Sequence, residues 1–115
     1  MTTHVLDQLL QQRRDRLERE RQAALQKAQQ WLDQHGVDYG IYRALIFGSV
    51  TRPGHFHDDS DVDIAVESVD PARYCLAISL LSEWLERDVD LIELNQCHFQ
   101  HRIRQTGLEW TAPTA

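Results

Sequence analysis

The chain has 115 residues, 42% of them hydrophobic, and carries 18 Asp and Glu against 12 Lys and Arg, a formal net charge of −6. That length and apolar content fit one domain with a modest core, and the acidic balance argues against broad electrostatic binding to DNA, RNA or an anionic membrane. No apolar run is long enough to span a bilayer and the N-terminus lacks the apolar centre of a secretion signal, so the expected location is the cytoplasm.

Residues 4–35 are rich in Gln, Arg, Glu, Leu and Ala, with no Gly or Pro before Gly36, and they predict one long helix. Ala24, Leu25, Ala28, Trp31 and Leu32 form its fuller apolar stripe, which predicts that the second half docks on the core. Upstream, Leu6, Leu10, Arg13 and Leu17 trace only a thin stripe through a segment charged nearly all round, where Asp15 and Arg19 form an acid-first i,i+4 pair. This half reads first as a solvated helix; the sharper alternative is that Val5, Leu6, Leu9 and Leu10 form a short apolar patch that meets another protein, or that two copies pair symmetrically through this helix. The expected division is a long N-terminal helix over residues 1–35 and a domain over residues 36–115. Gly36 fits a helix C-cap.

A first strand over residues 43–47 runs into Gly48-Ser49. A glycine there lets the backbone approach a ligand, and the amides of a turn can point at an anion, so Gly48 and Ser49 suit a phosphate seat with Arg52 close behind. The second strand, residues 61–66, opens with Asp61 and Asp63, which share one face while Val62, Ile64 and Val66 share the other. Two converging carboxylates repel unless a counter-charge lies between them. Magnesium suits such all-oxygen ligation and takes its remaining ligands from water and substrate phosphates. Asp70-Pro71 marks a helix start, and Cys75, Ile78, Leu81 and Leu85 predict its core face. Residues 89–94 read as a third strand, residues 97–105 as a helix ended by Gly107, and residues 108–110 as a short edge strand. The expected fold is thus α/β, a small mixed sheet of three to four strands with helices packed on it. Cys75 and Cys97 lack Cys-x-x-Cys spacing and are expected to be buried thiols.

Phe47-Gly48-Ser49, Arg52 and Asp58-Asp59-Ser60-Asp61-Val62-Asp63-Ile64 resemble the signature of the DNA polymerase beta-like nucleotidyltransferases, and the short chain is similar to their minimal branch, the bacterial and archaeal MNT proteins. The resemblance covers roughly residues 44–94. It implies the polymerase beta palm fold and a third acid on a neighbouring strand, for which Asp90 is preferred over Asp88, a residue of the same parity nearer the turn. It further implies two magnesium ions held by Asp61, Asp63 and Asp90, with Asp90 aiding deprotonation of the acceptor hydroxyl. ATP is the implied substrate, its phosphates held by Gly48, Ser49 and Arg52, unless Arg52 pairs instead with Asp58 or Asp59.

MNT proteins are commonly paired with a helical HEPN ribonuclease toxin. The resemblance therefore implies a magnesium-dependent antitoxin that transfers AMP to a hydroxyl of a HEPN-type partner. The alternative is a weak or inactive relative that neutralises its partner by binding. Two departures bear on catalysis: the 50–60 loop is one residue longer than usual, and Val50 stands where the family often has Arg. His55-Phe56-His57-Asp58-Asp59 begins like the metallo-beta-lactamase motif, but Ser60 replaces its last His. His98 and His101 read as solvated surface.

Overall fold

In the computed structural model, which describes residues 2–114, the glycine-free N-terminal segment is one helix, α1, over Thr2–His35. At 1.5 Å per residue such a helix runs about 50 Å, and it accounts for a molecule 58 Å long and only 28 and 25 Å across. Its second half is docked as its stripe predicts: Ala24, Ala28, Trp31 and Leu32 are buried, and Trp110 donates to Asp33 at 2.7 Å. Its first half stays in solvent, with Val5, Leu6, Leu9 and Leu10 all at least 42% exposed. The pairing along that half differs from expectation. Asp15 accepts from Gln11 at 2.9 Å, and the ion pair at this level is Arg16–Glu20, 3.0 Å.

The strands β1 (Arg43–Phe47), β2 (Val62–Val66), β3 (Val89–Glu93) and β4 (Leu108–Thr111) make one mixed sheet in the order β3-β2-β1-β4. β1 is antiparallel to β2 and to β4. β2 and β3 are parallel, joined through the helix α2 (Tyr74–Leu85), because parallel neighbours need a crossover. A last helix, α3, spans Gln100–Thr106.

Strand alternation gives the sheet two unlike faces. On one, Ala44, Ile46, Val62, Ile64, Val66, Val89 and Leu91 pack with buried residues of α1 and α2 in the main core. The other carries a smaller cluster of Leu45, Ala65, Leu94 and Ile103, with Phe47 and Ile92 at its margin.

Four local expectations are corrected. Gly36 is not the left-handed cap; a 3-10 turn, Gly36–Tyr39, intervenes, and Gly40 takes the positive φ of 78°. A side chain at Gly36 would instead press on the Trp110 ring, 3.0 Å from the built Cβ. Cys75 is exposed and Cys97 half-buried, both free thiols. Ala77, with Leu81 and Leu85, is what α2 buries. The start signal at Asp70-Pro71 acts one turn early: Asp70 accepts from the Ala72 amide at 3.0 Å and caps a 3-10 turn, Pro71–Arg73, after which α2 begins at Tyr74 with no side-chain cap of its own.

Candidate active site

The antiparallel β1–β2 pair sets the end of β1 beside the start of β2, and the parallel β2–β3 pair carries the same rung outward. Phe47 is thereby opposite Asp63, and Asp63 opposite Asp90. Asp63 has the parity of Ala65, and Asp90 that of Ile92, so both belong to the thinly covered face. Asp61 stands one residue before β2 begins and is exposed. Burial, then the charges of Asp90 and Asp61, push the half-buried Asp63 carboxyl up to about 6. Of the two acids weighed for the third position, Asp90 is the one whose charge acts on Asp63. The Asp88 side chain lines a cavity with Asp58, Asp59 and Asp61, and its carbonyl accepts the Val62 amide at 3.0 Å.

Gly48 leaves β1 with φ 80° and opens a 3-10 turn, Gly48–Thr51, which the Thr51 hydroxyl ties to the Gly48 carbonyl at 2.7 Å. A Cβ built on Gly48 would overlap Asp63 Oδ2. The glycine is therefore required twice, by its backbone angle and by the acid beside it. Ser49 is half-buried on this turn and Arg52 is exposed beyond it. Among the described residues Arg52 forms no ion pair with Asp58 or Asp59; Asp58 is held by Arg16 of α1 at 2.9 Å, which pulls its carboxyl below its ordinary range. Val50 is fully buried and Phe56 nearly so, so the longer loop is fastened to the main core at both residues.

Two arginines that the sequence analysis did not single out shape this loop. Arg21, buried, spans both Glu18 oxygens at 2.8 and 2.7 Å and donates to the Val50 carbonyl at 3.0 Å. Its partner Glu18 is lowered to about 2 by those bonds. Arg87 donates to the carbonyls of His57, Asp58 and Ser60 at 3.0 to 3.1 Å and stacks 4.2 Å over Phe56. Ser60 immediately precedes Asp61, so Arg87 fixes the approach to the first acid. Arg21 lies on the helical stripe of Leu17, Ala24 and Ala28, one signal that marked it as inward-facing; Arg87 carried none.

The donor set fits a hard divalent cation: Asp63 and Asp90 share one rung at the end of the sheet with Asp61 just before it, and burial together with the two neighbouring charges raises the Asp63 carboxyl to about 6. Among the described residues no three His, Cys, Asp or Glu side chains close on a single point. Magnesium requires no such cage, since one or two carboxylates plus waters and substrate phosphates complete its octahedron. No helix of the described residues is long and apolar enough to cross a membrane.

Comparison with known proteins agrees with this geometry. No curated protein matches the chain. A solved structure described as that of a "putative minimal nucleotidyltransferase" superposes with a TM-score of 0.54 at 22% identity, covering 83% of this chain and 93% of the other, and at that identity the likeness establishes the fold. The family model "Polymerase beta, Nucleotidyltransferase" matches residues 26–109, from the docked half of α1 to β4. With an Asp63–Asp90 rung at the mouth of the sheet and a Gly-Ser turn against it, the chain belongs to the polymerase beta nucleotidyltransferase family.

Proposed function

We propose that this nucleotidyltransferase-fold domain transfers AMP from ATP to a hydroxyl of a separate HEPN-type partner, acting as the antitoxin of a toxin–antitoxin pair. The observation that carries the transfer reaction is the rung itself. Asp63 and Asp90 face each other on adjacent parallel strands, and burial with the charges of Asp90 and Asp61 raises Asp63 to about 6.

Magnesium held by Asp61, Asp63 and Asp90 would supply charge neutralisation for the triphosphate and the developing pyrophosphate. Gly48, lacking a side chain, leaves the phosphates free to approach the turn, where the Ser49 hydroxyl donates to a phosphate oxygen. Arg52 presents its guanidinium to the departing phosphates. Asp90 accepts the proton of the attacking hydroxyl, whose oxygen bonds to the alpha-phosphorus as the bond to pyrophosphate breaks. The solvent-facing apolar residues of α1, Val5, Leu6, Leu9 and Leu10, support an acceptor that arrives as a protein. The −6 charge is consistent with a partner that binds RNA and is basic in part.

Transfer of label from ATP labelled at the alpha-phosphate tests the reading, with magnesium and the purified partner encoded beside this chain. Label is expected on the partner with the native chain and is lost with Asp63→Asn. A stable complex without label would assign the protein a binding role instead.

A further inference from the structure

A second cavity opens along β3, the edge strand nearest the acids. Its volume is about 550 Å³, within the range of small-ligand sites, and Tyr74, Ile92, Glu93, Gln96, Cys97 and Phe99 line it. Ile92 has the parity of Asp90 and follows it by two residues, about 7 Å along a strand. Tyr74 donates its hydroxyl to the Leu91 carbonyl, next to Asp90 on the same strand. The cavity therefore adjoins the acid rung. Phe99 is 48% exposed, with His98 edge-on at 6.1 Å, which leaves a ring face open to a ligand.

We infer that this groove seats the nucleobase of the substrate nucleotide, a base bearing an exocyclic amine, stacked on Phe99 over Ile92. The inference rests on the nucleotidyl-transfer reading and adds to it where the base lies and which groups select it. The track across the sheet supplies the reach. From Gly48 at the end of β1 to Asp90 on β3 is two strand spacings, roughly 10 Å, a span suited to a triphosphate lying over the acids. Beyond Asp90 the sheet ends, and the groove is the next concave surface. Its charge fits a base rather than a phosphate: Glu93 repels an anion but accepts from an exocyclic amine, while the Gln96 amide can donate to a ring nitrogen. An apolar floor with an aromatic wall suits the π-face of the ring.

The test compares binding of ATP and of inorganic tripolyphosphate, each with magnesium, to the full chain and to Phe99→Ala. Loss of one stacking partner is worth about 1–3 kcal/mol per base, roughly 5- to 150-fold. Phe99→Ala is thus expected to weaken ATP at least fivefold and tripolyphosphate less than twofold, with Phe99→Trp restoring ATP. Glu93→Leu should narrow the preference for ATP over UTP. Equal ATP affinity in native and Phe99→Ala chains would overturn the base seat, as would equal weakening of both ligands. If the native chain binds tripolyphosphate and ATP equally well, the base seat alone fails. If it binds neither, the nucleotidyl-transfer reading fails with it.

Discussion

Ile64 and Asp63 are neighbours on β2, yet one is sealed between the sheet and two helices while the other lies half-buried between two more acids. The same contrast repeats at Leu91 against Asp90 and at Ile46 against Phe47. The inward-facing set holds α1 and α2 in place. The opposite set has only α3 and the Leu94 turn over it, and only toward one end, so the other end can hold charge that the main core could not tolerate. One sheet thus separates its structural duty from its chemical duty by strand parity alone. The sharpest way to break that separation is Ile64→Ala. Removing a fully buried side chain from the main core should cost about 2–5 kcal/mol in denaturant unfolding. A loss under about 1 kcal/mol would mean that this face is not the stabilising one.

The separation was legible in the sequence because parity is a local property. Asp61-Val62-Asp63-Ile64 states which residues share a face, Gly48-Ser49 marks the end of the preceding strand, and Ala24 to Leu32 marks the docking stripe of α1. Pairing was less legible. That Asp63 lies opposite Asp90 depends on the β2–β3 register, which neither strand encodes alone; the family resemblance pointed to Asp90, and the register now shows it facing Asp63. Contacts between distant segments were out of reach. Arg87 follows α2 with no pattern around it, and its role follows only from three loop carbonyls converging on it. Gly36 looked like a cap because glycine after a helix usually is one. Here it is the Trp110 ring, 74 residues later in the chain, that demands the small residue. Cys75 misled for a related reason: its spacing fits the core face of α2, but the helix is rotated to bury Ala77.

Gly48→Ala probes the seam where the two duties meet. An L-residue at φ 80° costs about 1–2 kcal/mol, a smaller loss than that expected for Ile64→Ala. Its functional effect should be larger, because the new methyl group displaces the Asp63 carboxylate. A folded Gly48→Ala chain is expected to lose magnesium-dependent nucleotide binding at least tenfold, measured by calorimetric titration. Native-like affinity would show that Asp63 does not need the position in which Gly48 leaves it.

Asp63→Asn gives the smallest effect on stability, and one of opposite sign. In the folded chain the Asp63 carboxyl sits at about 6, above the ordinary value of about 3.9 for an unfolded Asp. Between those two values the folded state binds more protons than the unfolded state, so raising the pH through this window weakens the metal-free fold. Below the lower value the carboxyl is protonated in both states and costs nothing. The metal-free native chain should therefore lose stability from pH 4 to 7, on the order of 1 kcal/mol from this group once solvent screening is allowed for. Asp63→Asn should abolish that part of the slope and be the more stable chain at pH 7 in the presence of a chelator. Adding magnesium at pH 7 should then stabilise the native chain and leave the variant unchanged, since only the native chain offers the cation a carboxylate in need of it. Parallel pH profiles for the two chains would mean that Asp63 ionises freely, and that the acids at the sheet mouth are too well solvated to favour a metal.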